Sequence, residues 1–357
     1  MATVYFYMTG QGKTVVEKLQ RHENGEVFDK HTYKMGVKDF WQSDNTLVFV
    51  MATGIVVRTI APYIKSKTTD PAVIVIDQNG QFVISLLSGH LGGANARAAY
   101  FAELLGATPV ITTATDIENV PALDVFAKAN GLKILHIEHM KYVSGAMVAH
   151  QPLNIISQWD FDGQFPAWVN VNVIHEKHCL KDLLQEINLS YPAALIGTPG
   201  FCAQAAAYYT KNNGGPFVSL ISAAYCVGTG CKKQMNPQIY ENAFEAFLKS
   251  QDIEPADILC LTTIDIKKDE PCILKIAEKY HLVLRIFSKD ALAQVDMNNA
   301  SGKVIETSEF VKQVTGVGSV SEASAYLAAG QGQILVGKTK YEGVTFALAE
   351  EKKVLKL

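Results

Sequence analysis

A chain of 357 residues that is 48% hydrophobic and 19% charged has the balance of a globular protein, and it is too long for one ordinary core. Its 35 acidic and 32 basic side chains leave a net charge of −3, which argues against a nucleic-acid carrier. The amino terminus MATVYFYMTGQGKT lacks the features of a signal peptide, and the longest apolar run, near Leu47–Val57, is too short to span a bilayer. A cytoplasmic protein without membrane contact is the expectation.

Along the chain one pattern recurs: a β-branched run, a Gly/Thr/Ser-rich turn, then a helix-like segment. Thr3–Met8 leads through Thr9-Gly10-Gln11-Gly12 into a helix near Lys13–Arg21, and Leu47–Met51 leads through Ala52-Thr53-Gly54 into Ile55–Lys65. Phe82–Leu87 leads through Ser88-Gly89-His90-Leu91-Gly92-Gly93 into Ala94–Leu105, with Gly106 as its C-cap, and Pro109–Thr112 leads into Thr113-Ala114-Thr115-Asp116. Strands this uniformly apolar, with helices between them, predict a parallel sheet covered on both faces. From about Met140 to Ala223 the helical cues weaken and aromatic and proline punctuation grows. A small α/β or mostly β module fits there, with Leu195–Ile196 and Phe217–Ile221 as strands.

The first pattern then resumes. Ala224–Val227 meets the turn Gly228-Thr229-Gly230-Cys231-Lys232-Lys233 before a helix near Pro237–Ser250. Ile258–Leu261 meets a turn from Thr262 to Glu270 before Ile273–Tyr280, and Thr315-Gly316-Val317-Gly318-Ser319-Val320 opens a helix at Ser321–Ala329. Gln333–Val336 and Val344–Ala349 form a hairpin around Lys340-Tyr341-Glu342-Gly343. The expected fold class is α/β: two parallel-sheet α/β domains, residues 1–139 and 224–357, joined by a middle α/β module over 140–223.

Ligands of such sheets gather where strands end and helices begin, because the first helix amides are unpaired and the dipole favours negative charge. Several such turns predict a polyanion binder. The turn from Ser88 to Asn95 is the richest: glycines to wrap a ligand, Ser88 and Asn95 to hydrogen-bond it, and His90 to exchange protons near neutral pH. The same residues also suit a tight strand-to-helix connection. Lys232, Lys233, Lys267, Lys268 and Lys338 place cations beside predicted turns, and Glu322 suits either catalysis or a capping box with Ser319.

Nucleotide motifs fail. Gly12-Lys13-Thr14 resembles the end of a phosphate loop, but Tyr7 stands where that loop needs glycine; Gly228-Thr229-Gly230 has Lys233 at the third glycine position. The six cysteines are scattered without CxxC spacing or a Cys/His array, so free thiols and no bound metal are expected.

Taken together the turns resemble the cobalt-precorrin-5A hydrolase family. The carrying stretches are Met51–Arg58, Leu87–Asn95 (LSGHLGGAN), Val110–Asp116 (VITTATD), Gly228–Lys233, Ile264–Glu270 and Gly316–Ala325, in family order across nearly the whole chain. One departure is that both basic residues after Cys231 are lysine, which removes bidentate pairing to a carboxylate. The carboxyl-terminal part also resembles a small stand-alone protein of the aerobic cobalamin pathway.

The resemblance implies a hydrolase that opens the δ-lactone of a cobalt-containing tetrapyrrole and releases acetaldehyde. A non-catalytic corrinoid carrier is the alternative. Cobalt belongs to the substrate, so no cofactor and no resident metal are expected. The other partner expectations are a homodimer and transient contact with neighbouring pathway methyltransferases. In that setting His90, Asp116 and Glu322 are the candidate catalytic residues. His90 would be the acid or base, Asp116 would orient it or hold water, and the amides of Gly92 and Gly93 would form an oxyanion hole. Arg58, Lys232, Lys233 and Lys267 would pair with substrate carboxylates. Thr53, Gly54, Ser88, Gly89, Asn95, Thr113, Gly228, Gly230, Gly318 and Ser319 would line the site. The turns after Met51, Leu87 and Thr112 are expected at one edge of a single parallel sheet.

Overall fold

Unbroken apolar strands need cover on both faces, and the first sheet has it. The computed structural model describes residues 2–175, 179–295 and 319–357. In it β1 (Thr3–Tyr7), β2 (Glu26–Phe28), β3 (Thr46–Val50), β4 (Ala72–Ile76), β5 (Phe82–Leu87) and β6 (Thr108–Val110) form one sheet, ordered β2-β1-β3-β4-β5-β6. Helices α1 (Gly10–Gln20) and α4 (Ala94–Leu105) bury Val15, Val16, Leu19, Ala98 and Phe101 against one face. Helices α2 (Tyr33–Phe40) and α3 (Thr53–Ile60) bury Val37, Val56 and Ile60 against the other. Gly106 ends α4 in the left-handed region, at φ 64°.

This sheet is not parallel throughout, and the exception moves the site. Strand β4, the run AVIVI, escaped the sequence reading. It joins β5 through Asp77–Gln81, where the Asp77 carboxylate accepts from the amides of Asn79, Gln81 and Phe82 and Gly80 takes φ 70°. That turn reverses the chain, so β4 and β5 pair antiparallel, with Ile76 opposite Val83 and Val73 opposite Leu87. Strand β6 is parallel to β5. The turns that follow β5 and β6 therefore share one edge, and Thr53, Gly54 and Arg58, which follow β3, lie at the opposite edge. The expected convergence of all three turns is corrected accordingly.

The chain divides into two compact units, Met1–Ala129 with Ser144–Gln151, and Asn130–Val143 with Pro152–Leu357. The first is completed by α5 (Ala114–Ile117) and α6 (Leu123–Ala129), and α7 (Met140–Val148) runs from one unit into the other. The second unit holds two five-stranded sheets. One is built from β7 (Lys133–Leu135), β8 (Leu153–Ser157), β10 (Val169–Val173), β11 (Ala193–Gly197) and β12 (Phe217–Ile221), in the order β10-β8-β11-β12-β7, with only β7 antiparallel. A separate two-stranded ladder pairs β9 (Asp160–Asp162) in parallel with β18 (Val354–Lys356). Helices α8 (Cys179–Glu186) and α9 (Pro199–Lys211) pack on this sheet through Leu180, Leu184, Phe201 and Tyr209. The reading of weak helical cues passed over α9, although Thr198 caps it and Pro199 opens it.

The last sheet takes β13 (Tyr225–Cys231), β14 (Ile258–Ile264), β15 (Val283–Phe287), β16 (Gln333–Tyr341) and β17 (Val344–Glu350), in the order β15-β14-β13-β17-β16. Helices α10 (Pro237–Ser250) and α11 (Pro271–Lys279) cover one face around Phe244, Phe247 and Phe346. Helices α12 (Lys289–Ala293) and α13 (Val320–Ala328) cover the other, where Ala325, Ala328 and Ala329 lie against Cys226 and Cys260. The expected hairpin at Lys340–Gly343 is present. Two expected turns are strand instead: Gly228-Thr229-Gly230 lies inside β13, and Thr262–Ile264 inside β14. Glycine serves close packing at position 228, because a Cβ there would stand 1.8 Å from the Ser321 carbonyl oxygen of α13. Among the described residues no helix is long and apolar enough to cross a membrane.

Candidate active site

The reversal at Asp77–Gln81 delivers the turns after β5 and β6 to one place. Ser88 enters its turn with φ 57° and donates its hydroxyl to the Asp70 carbonyl at 3.0 Å. Gly89 and Gly92 are required by crowding, since a Cβ would stand 2.6 Å from Asn95 Oδ1 or 2.5 Å from Ser88 Cβ. Gly93, at φ 84°, starts α4, and Lys128 Nζ donates to the Leu91 carbonyl at 2.7 Å. The turn is thus held at both ends and in the middle.

Its product is the position of His90. Nε2 lies 3.0 Å from Asp116 Oδ2 and 3.1 Å from the Thr115 hydroxyl, and Nδ1 lies 3.2 Å from Asp124 Oδ1. The His90 side chain is 15% exposed and that of Asp124 only 10%, whereas Asp116 is 40% exposed. A partly buried imidazole is thereby clamped between a buried carboxylate and an open one. The hydrogen bond to Asp124 is the largest influence on its proton; burial opposes it, Asp116 adds to it, and the pKa rises from 6.5 to about 8. Burial would raise the Asp124 carboxyl, but the His90 hydrogen bond and charge, the Val125 amide and Lys67 together hold it below its ordinary value.

At neutral pH the ring is therefore mostly imidazolium, with both N–H groups directed at carboxylates. Because the folded-state pKa is raised, the stability contributed by charged His90 is complete below about 6.5 and is lost as pH rises through about 8. Asp124→Asn should return the His90 pKa toward 6.5, read by NMR titration of the ring; a value still near 8 would assign the shift to Asp116 alone.

Asp124 was missed in the sequence, where it reads as an ordinary acid in the first turn of α6. The available signal is an acid inside the apolar run VPALDVFA, where only a partnered carboxylate is tolerated. Other assignments change. Asn95 is a clamp: its amide donates to Asp116 at 3.0 Å and to Thr113 at 2.9 Å, and its oxygen accepts from Ser85 at 2.7 Å. The Gly93 amide is bonded to the His90 carbonyl at 2.9 Å, so it is not an unoccupied oxyanion donor.

Gly228, Gly230, Lys232, Lys233, Lys267, Ser319 and Glu322 belong to the second unit, and Gly318 lies outside the described residues. Lys232 and Lys233 are exposed just past β13. Lys267, expected to face substrate carboxylates, pairs with Glu270 at 3.1 Å. Ser319 caps α13 by accepting from the Glu322 amide at 3.5 Å. Glu322 does not return the bond of a capping box: its Oε1 accepts from the Lys338 amide at 2.9 Å, and its buried Oε2 has no partner among the described residues.

Family models for the cobalamin synthesis G N-terminal region, the cobalamin biosynthesis central region and the cobalamin synthesis G C-terminus match residues 36–116, 121–187 and 225–349. A cobalt-precorrin-5A hydrolase of Salmonella typhimurium strain LT2 is 32% identical over 312 residues, covering 85% of this chain and 81% of that protein. A cobalt-precorrin-5A hydrolase of Priestia megaterium is 29% identical over 336 residues, covering 92% and 84%. A solved structure of a cobalamin biosynthesis protein G homolog from Sulfolobus solfataricus is 21% identical, with a TM-score of 0.38 and coverage of 98% and 97%.

Proposed function

We propose, from the premise that this chain belongs to the cobalt-precorrin-5A hydrolase family, that His90 and Asp116 carry the acid–base chemistry of the hydrolase. The observation that supports this reading is the pairing of the exposed Asp116 carboxylate with the partly buried His90 imidazole, whose pKa is raised to about 8. Lactone hydrolysis needs a base to take a proton from water and an acid to give one to the departing oxygen. Asp116, the exposed member, is suited to the first role, and His90, held charged from behind by Asp124, to the second.

In this reading Asp116 takes a proton from the water that adds to the lactone carbonyl, and the tetrahedral intermediate breaks its carbon–oxygen bond as His90 protonates the departing oxygen, leaving a ring carboxylate and a side-chain alcohol. His90, now neutral, takes the alcohol proton back as that oxygen's electrons form the carbonyl of acetaldehyde. The bond from that carbon to the macrocycle breaks, and its electron pair takes a proton on the ring. Cobalt enters as part of the substrate. A cytoplasmic setting suits the six free thiols.

The test is incubation of the chain with cobalt-precorrin-5A while acetaldehyde and the product mass are followed together. Tight binding with no acetaldehyde would select a carrier instead. The substrate's many carboxylates give a second expectation. Lys232→Gln with Lys233→Gln should weaken binding several-fold, and wild-type affinity should fall with salt, because exposed pairs are screened and each contributes about 0.2–1 kcal/mol. An unchanged affinity in the double variant would leave those lysines as plain surface.

A further inference from the structure

The second unit holds a cluster that the lactone chemistry does not use. Cys231 ends β13, Glu270 stands at the residue just before α11 and Cys272 lies in the first turn of that helix. One ligand atom from each lies within 4.8 Å of the other two, and the two sulfurs are 3.8 Å apart. We propose that Cys231, Cys272 and Glu270 form a binding site for a thiophilic divalent cation of the zinc class, separate from the cobalt carried by substrate.

The sulfur separation supports this directly. Two Zn–S bonds of about 2.3 Å at a tetrahedral angle hold their sulfurs about 3.8 Å apart. Glu270 is already fixed: one carboxylate oxygen accepts from the Met235 amide at 3.1 Å and the other from Lys267 at 3.1 Å. It is 8% exposed and Cys272 is fully buried, while Cys231 is half-buried and opens the cluster toward its rim. Charge also balances. Two thiolates and one carboxylate exceed a divalent ion by one negative charge, which Lys267 offsets. Three protein ligands leave a fourth position for water or another donor.

The second cysteine pair provides a contrast within the same sheet. Cys226 and Cys260 are also close, at 3.4 Å, but they are packed among Ala325, Ala328, Ala329 and Ala349. No carboxylate or imidazole joins them in a metal-ligating group among the described residues. That pair is core packing. Proximity of sulfur alone is therefore not the criterion; the convergent, anchored carboxylate is.

The test uses the whole chain, reduced and stripped of metal, titrated with Zn²⁺ against a competing chelator and with Co²⁺ as a spectroscopic substitute. The expected result is one ion per chain, with thiolate-to-cobalt charge-transfer absorption in the wild type. Changes to residues that merely support metal ligands shift affinity about 10–100-fold. Loss of a ligand in Cys231→Ser or Cys272→Ser should therefore weaken Zn²⁺ by more than about 100-fold, and Glu270→Gln by at least about tenfold. Cys260→Ser should leave affinity unchanged, and circular dichroism establishes that each variant is folded. The wild-type cobalt spectrum needs no variant, so misfolding of Cys272→Ser would not shield the proposal. Absence of stoichiometric binding, a cobalt spectrum without sulfur character, or full affinity in folded Cys231→Ser would each overturn it.

Discussion

His90→Ala should slow single-turnover acetaldehyde release by roughly 10²–10⁴-fold while changing substrate affinity by less than about tenfold. Positioned proton transfer is worth roughly 3–5 kcal/mol of barrier on that scale, whereas one lost hydrogen bond costs about 1 kcal/mol. The expectation rests on His90 lying within hydrogen-bonding distance of Asp116, Asp124 and Thr115 at once. Asp124 acts through the ring and is a positioning residue. Asp124→Asn should therefore lower the rate less than His90→Ala and move the pH profile in step with the His90 pKa, which falls from about 8 toward 6.5. If His90 is the acid, the wild-type rate declines as pH rises through about 8, where the imidazolium loses its proton; an acceleration over that range would make it the base. Turnover within a few-fold of wild type in folded His90→Ala would remove the residue from the mechanism.

The second large effect concerns stability. Gly228→Ala would place a methyl 1.8 Å from the Ser321 carbonyl oxygen, 2.7 Å from its carbon and 2.9 Å from Ser324 Oγ. The obstacle is helix backbone, which cannot rotate aside, so α13 must move off β13. Overpacking of well-packed cores typically costs about 1–3 kcal/mol, and a clash with backbone puts this substitution at the upper end or beyond. The unfolding midpoint should fall by roughly 5–10 °C, read by thermal melting and by hydrogen exchange in β13 and α13. Gly230→Ala is the matched control. Its Cβ meets only the Thr345 hydroxyl at 3.1 Å, a side chain that can yield, and less than about 1 kcal/mol should be lost. Equal melting of the two variants would mean that Gly228 is not the contact that sets the α13 approach.

The sequence by itself determined a good deal of this protein. Local signals sufficed where structure is local: the Gly106 stop of α4, the Pro237 start of α10, the hairpin at Lys340–Gly343, and the glycines that let the chain turn tightly at 89–93. The motif stretches also carried the family: they lie within the regions that the N-terminal and C-terminal family models match.

Only the tertiary structure decided strand direction, and the cause is specific. A strand reads alike in either direction, so passing over AVIVI and the Asp77–Gln81 turn placed the Ser88 turn at the wrong sheet edge. Pairing across sequence was equally hidden. Asp124 lies 34 residues from His90, and Cys231 lies 41 from Cys272, separations that no helix or strand period links. Gly228 looked like a ligand turn because closeness to a ligand and closeness to a packed helix require the same missing Cβ. What surrounds a residue in space chooses between those readings, and only the folded chain brings those surroundings together.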